Sequence, residues 1–424
     1  MVRAAVFFQD PLFEDFATSF GLGLASHGGS EPGEIQATCA LIRDGDDGSW
    51  YQAWCGTADR LVSGAETSEH DGHAVSAREA YLRASLYYCL AYHPLFGAPV
   101  DPRLLDAFRR QRAAFDRAAR LLDPPGQPFD IELDGAKLPA YLFLAPGSRA
   151  RAGPLLIATN GYDATLYEMF LGQAMPALKR GYHCLLFDGP GQGAVLFEQG
   201  VSIRPDWETV VRAVVDSVIQ REEVDPERIA LTGWSLGGHL ALRAATQEHR
   251  LAACVADPAL YAITSVMEGR LRGAGVPDEV IVRIRRGDVQ GDEGLLSSIE
   301  QAIERSRSQR WAVIQRAFWV HGVRTLGEYV AAVAPFTLDG RADAIRCPTL
   351  LTAAEADPLS ASADQVFAAL RCPKTMVRFT SAEGAGDHCE MQNRSLLDQR
   401  VFDWLDAVLA PRTGGAAAGE PGSA

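Results

Sequence analysis

The sequence predicts an α/β fold: an eight-stranded, mostly parallel sheet with helices on both faces, joined to an N-terminal helical region and a helical cap insertion. Three observations predict it. Short apolar runs bounded by turn residues alternate with helical periodicity from about residue 128 onward, whereas the segment before it is helical almost throughout. One run, Ile229–Trp234, passes through Ser235 directly into small and apolar residues at helical spacing. A serine held between Gly233 and Gly237 at such a junction asks for an explanation.

With 424 residues the chain exceeds most single domains, so additions to one main domain are expected. The apolar share of 47% and charged share of 22% are those of an ordinary globular protein. A net charge of -14 argues against a nucleic-acid binder, which needs a basic footprint. Eight scattered cysteines form no C-x-x-C pair, which signals neither a zinc site nor a redox motif; buried reduced thiols are expected. Asp10, Glu14 and Asp15 interrupt any secretory apolar stretch near the start, and no run of about 18 apolar residues follows. A cytoplasmic protein with no membrane span is expected.

In chain order, the first 45 or so residues read as irregular. Residues 50–122 read as helical, including a helix over "SAREAYLRASLYYCLAY" with a Ser76–Glu79 capping-box spacing that stops near Pro94. A second helix places Leu104, Leu105, Phe108, Phe115, Ala118 and Leu122 on one stripe. Strands are predicted at 128–134, 138–145, 154–160, 183–188, 229–234, 252–257, 348–354 and 374–380. The interval 258–346 carries helical patterns and no strand, and is placed where a lid over the strand ends sits. These elements divide the chain into an N-terminal helical, lid-contributing region (1–125), a domain over 126–410 containing the cap, and a disordered tail (411–424).

Flanking glycines let a tight strand-to-helix turn hold Ser235 in strained geometry at a strand's C-terminal end. A neutral serine needs a base oriented by an acid. His388, in a glycine-rich loop after the last predicted strand, has the best position for the base. Asp357, after the preceding strand, is the candidate acid; Glu355 and Asp257 compete for that role, and Asp357 before Pro358 also suits a simple turn. His239, on the helix after the serine, reads as a packing or capping residue. Oxyanion donors are expected from the backbone N–H of Leu236 and of Tyr162, although Asn160-Gly161 also suits an ordinary turn. The loop "FDGPGQG" lacks the Lys and Ser/Thr of a phosphate-binding loop.

Taken in order, "NGYDAT", "FDGPGQG", "GWSLGG", "AEADPLS" and "EGAGDHC" resemble the α/β-hydrolase superfamily. With "SAREAYLRASLYY" they are similar to the group containing dihydroxypseudooxynicotine hydrolase and the fungal polyketide-shortening hydrolases of pigment biosynthesis; the resemblance covers roughly residues 50–410. It implies the α/β-hydrolase fold, C–C hydrolysis of a β-diketone-like or aryl-ketone small molecule, no metal or organic cofactor, and often a homodimer. Ser235, His388 and Asp357 would act as nucleophile, base and acid. Trp234, Glu268, Trp319 and His321 are substrate-contact candidates, against the plainer readings of aromatic cap core and, for Glu268, an exposed helix carboxylate. The competing functions are an esterase, thioesterase or acyl-transferring cyclase on a natural-product intermediate and, in another class, a non-catalytic binding protein on the same fold.

Overall fold

The computed structural model describes residues 6–147 and 152–411. Its sheet has the strands β1 (Gln127–Leu133), β2 (Ala136–Phe143), β3 (Gly153–Thr159), β4 (His183–Phe187), β5 (Val224–Trp234), β6 (Ala253–Asp257), β7 (Thr349–Ala354) and β8 (Lys374–Phe379). They run in the order β1-β2-β4-β3-β5-β6-β7-β8. The β1–β2 and β2–β4 pairs are antiparallel; every pairing from β4 through β3 to β8 is parallel. Parallel strands covered on both faces must be apolar throughout, and β4 and β6 are buried at every position. The predicted strands all occur. β5 alone begins well before its apolar run, at Val224, because the exposed Pro226 and Glu227 interrupt the pattern.

The helices Asp47–His70, Ala74–Tyr92 and Pro102–Arg120 form the predicted helical region. Asp101 caps the last of them by accepting the Arg103 N–H at 2.8 Å. The Ser76–Glu79 capping box does not form. The helix already begins at Ala74 after His73, which leaves Ser76 inside the first turn. The first 45 residues are also not irregular: a short helix (Pro11–Asp15), a π-helical stretch (Phe16–Leu22) and a further helix (Pro32–Cys39) carry Leu12, Phe13, Phe16, Ala17 and Ile35 into the core. One continuous apolar cluster extends from Phe8 to Leu409.

Between β6 and β7 the chain is helical, from Ile263–Gly273 to Leu326–Val333, with a small apolar centre of Leu271, Ile281, Ile284 and Val330. The long helical pattern over 294–323 is interrupted at Ser306, whose hydroxyl starts a new helix. Seven of the eight cysteines are buried and all are free thiols. Among the described residues no helix is long and apolar enough to cross a membrane. The expected tail, apart from Pro411, lies outside the described residues.

Candidate active site

The carboxyl ends of the parallel strands converge on Ser235. This residue is the turn between β5 and the helix Leu236–Ala245, at φ 62° and ψ -128°. A non-glycine residue in that region is strained and persists only when its surroundings enforce it. Here they do: the Ser235 N–H donates to Asp257 O at 2.7 Å, and its carbonyl accepts the Gly238 N–H at 2.9 Å. A Cβ on Gly233 would lie 1.8 Å from Gly237 O, and one on Gly237 would lie 2.5 Å from Thr159 O. Both glycines are therefore required by close backbone approach, as the sequence pattern suggested.

His388, from the loop after β8, places Nε2 2.9 Å from Ser235 Oγ and Nδ1 2.8 Å from Asp357 Oδ2. Asp357 follows β7; its other oxygen accepts the Leu359 N–H at 2.9 Å, so its carboxylate is fixed at both ends. The buried carboxylate and partly accessible imidazole thus form a hydrogen-bonded relay to the hydroxyl. Burial opposes a charge on His388, but Asp357, with added contributions from Asp257 and Asp163, outweighs it and raises the imidazole pKa to about 9. The ring keeps 42% of its side-chain surface accessible.

The competing acids are disposed otherwise. Glu355 is on the surface, accepting the Ser381 N–H at 2.7 Å. Asp257 is buried and accepts the Thr352 hydroxyl at 2.9 Å. Its charge, together with burial, pushes the pKa of Glu390 well up. Cys389 and Glu390 are both left-handed, at φ 55° and 48°, and Arg394 pins them by donating to Cys389 O at 2.8 Å and to Gly172 O at 2.8 Å.

Gly161 lies against the Ser235 turn: a Cβ there would sit 2.8 Å from Leu236 N and 3.0 Å from Ser235 Cβ. Leu236 is the first residue of its helix, so its N–H has no intrahelical partner. The Tyr162 hydroxyl is 2.6 Å from His321 Nε2, and burial lowers the His321 pKa to about 3, keeping that ring neutral. His321 is therefore joined to the site through Tyr162. The other three contact candidates are engaged elsewhere. Trp234 is buried with the Arg394 guanidinium 4.9 Å over its ring. Trp319 stacks on Phe197 at 5.2 Å. Glu268 is not exposed but buried, its carboxylate paired with Arg285 at 2.7 Å. His239 is buried near Leu260 O.

Several residues near the site carried no signal in the sequence. The Phe16–Leu22 stretch packs Phe16 on Trp311 and Phe20 on Trp234, and brings the carboxylate of Asp15, hydrogen-bonded by Ser19 at 2.9 Å, within electrostatic reach of His388 and Arg316. Arg316 is held by Asp163 at 2.6 and 2.7 Å. An apolar spacing of Phe13, Phe16 and Phe20 was available to place that stretch; nothing local marked Asp15.

The fold agrees with what comparison with known proteins finds. Hydrolase acrC of Aspergillus aculeatus is 33% identical over 410 residues, spanning 91% of this chain and 94% of the relative. The 20-hydroxy-prefusarin hydrolase FUS2 of Gibberella moniliformis is 33% identical over 405 residues, spanning 92% and 94%. The crystal structure of 2,6-dihydroxy-pseudo-oxynicotine hydrolase shares the fold with a TM-score of 0.72 at 24% identity, over 92% of this chain and 96% of that one. The sequence profile of the alpha/beta hydrolase family matches residues 142–397. The chain is thus a hydrolase and a member of the alpha/beta hydrolase family.

Proposed function

We propose that the chain is a serine hydrolase that cleaves a C–C bond of a β-diketone-like or aryl-ketone, polyketide-like substrate in secondary metabolism. The observation that carries the reading is the Ser235–His388–Asp357 relay, at 2.9 and 2.8 Å, on a strained turn. Ser235 Oγ attacks the carbonyl carbon and passes its proton to His388. The oxyanion accepts hydrogen bonds from the Leu236 and Tyr162 N–H groups. Collapse breaks the C–C bond, and the pair of electrons leaves as an enolate stabilised by the second carbonyl and protonated by His388. Water, deprotonated by the same imidazole, then releases the acyl group as a carboxylic acid. The choice of C–C over ester cleavage is supported by the resemblance of the sequence motifs, and a small-molecule substrate by relatives such as 20-hydroxy-prefusarin hydrolase. The same resemblance supports a homodimer; the interrupted apolar start at Asp10, Glu14 and Asp15 supports a cytoplasmic location, and the helical N-terminal region is assigned to the lid.

The test is product analysis in oxygen-18 water with an aryl β-diketone, an aryl ester and an acyl thioester. Serine-dependent label in the acid released from the diketone is expected. Turnover of the esters alone would replace this reading with the esterase one.

A pH dependence follows from His388. The imidazole must be unprotonated to act as base, so kcat/KM should rise as pH climbs through about 9. Stability should run the opposite way. A folded pKa raised above the unfolded value of about 6.5 gives stabilisation that is complete below that pH and lost as pH rises through about 9. A pH–rate profile already flat at pH 7 would contradict the raised pKa of His388.

A further inference from the structure

The loop Phe187–Gly193, which resembles a phosphate cradle only in composition, sits directly beside the Asn160–Tyr162 loop. Its glycines allow it to fold back tightly. A Cβ on Gly189 would lie 2.6 Å from the Trp207 ring; Gly191 has φ 81° and would meet Ile203 at 2.5 Å; Gly193 has φ 39° and would meet Asp188 Oδ2 at 1.9 Å. This turn returns the side chain of Gln192, 1% exposed, underneath the loop that follows β3.

Every polar atom of that amide is engaged. Gln192 Oε1 accepts the Gly189 N–H at 2.9 Å, which fixes the orientation of the amide. Nε2 then donates to Asn160 O at 2.6 Å and to Gly161 O at 3.2 Å. In a trans peptide the carbonyl and N–H point in opposite directions. Gly161 O and Tyr162 N–H belong to the same peptide, so drawing the carbonyl toward Gln192 turns the N–H away from it. Gly161 itself abuts Leu236 N and Ser235 Cβ. Asp188 holds the same loop from a second direction, accepting Asn160 Nδ2 at 3.1 Å and the Leu166 N–H at 2.8 Å.

We propose that Gln192 is a positioning residue that orients the Gly161–Tyr162 peptide so that its N–H faces the oxyanion formed at Ser235. Gln192 touches no substrate and acts only through that peptide. The inference rests on the serine-hydrolase reading above. In this role the three glycines of the "GPGQG" turn deliver one amide to two consecutive carbonyls.

Two variants test it, each normalised to active sites titrated with a fluorophosphonate. Gln192→Glu keeps an acceptor for Gly189 but sets an acceptor against both carbonyls; Gln192→Met removes both interactions. The expected result is a kcat lowered about 10- to 100-fold with KM within about twofold, because removing an oxyanion donor outright costs about 10²–10³ and here the donor is only misaimed. Affinity for an aryl trifluoromethyl ketone, which forms a tetrahedral adduct, should fall by the same factor. A Gln192→Met protein with unimpaired kcat and ketone affinity per titrated site overturns the positioning role alone. A wild type whose Ser235 the fluorophosphonate leaves unmodified overturns the serine reading and this role with it. Should both variants fail to fold, a crystal structure of the wild-type ketone adduct decides: the adduct oxygen should lie about 2.7–3.1 Å from Leu236 N and Tyr162 N, and an oxygen turned away from Tyr162 N overturns the proposal.

Discussion

Replacing Ser235 with alanine should lower kcat for C–C cleavage by about 10⁴-fold or more while leaving the fold intact. The size of the effect follows from the relay: without Oγ, His388 has nothing to deprotonate, and only binding and the oxyanion donors remain. The fold should survive because, among the described residues, Ser235 Oγ is hydrogen-bonded to His388 alone, whereas the backbone of the turn is held by Asp257 O and Gly238 N. Activity on the diketone together with a thermal melt checks both halves. A fully active Ser235→Ala protein would sink the covalent mechanism.

The largest effect on folding is expected from Gly237→Val. The added Cβ would lie 2.5 Å from Thr159 O and 2.9 Å from Asn160 O, and both neighbours are backbone that cannot rotate aside. Either the helix Leu236–Ala245 must move off β3 or the Asn160–Tyr162 loop must shift. Overpacking of a well-filled interior costs about 1–3 kcal/mol and occasionally more. With the branched side chain added, the cost should reach about 3 kcal/mol or above, a large part of an ordinary domain's total stability. Soluble yield and melting temperature should both fall. A stable and active Gly237→Val protein would contradict the packing that forces the turn.

The sheet was legible because most of its parallel strands contain a short run buried on both faces, so apolar composition and flanking turn residues mark it without any partner being known. The start of β5 escaped because Asp225, Pro226 and Glu227 are polar or turn-forming residues in a strand that pairs before it is buried. The described part of the first 45 or so residues was read as irregular for a different reason. The Phe16–Leu22 stretch is short and π-helical, and Thr18, Ser19 and Gly21 within it are weak helix formers that hide the Phe13, Phe16 and Phe20 spacing.

At the site, Ser235 and its glycines were legible because the constraint is local, carried by adjacent backbone. The order of Ser235, Asp357 and His388 placed each after a strand end, yet Asp257 satisfies the same positional rule. Only the folded arrangement separates the two: the Asp357 carboxylate meets His388 Nδ1, while that of Asp257 faces Thr352, Glu390 and Arg394. Gln192 was invisible as a loop organiser because its partners lie 31 and 32 residues away and are carbonyls, which no side-chain pattern encodes. Glu268 was read as exposed because its partner, Arg285, lies on a neighbouring helix.

The measurement that tests the central claim most directly is rapid-quench mass spectrometry of the wild type and Ser235→Ala during turnover of an aryl β-diketone. The wild type should gain the mass of the acyl fragment on the peptide containing Ser235, transiently and before acid is released, and the variant should gain none. Diketone cleavage that proceeds with no acyl mass on Ser235 under single-turnover conditions, or an equal gain in Ser235→Ala, would contradict it.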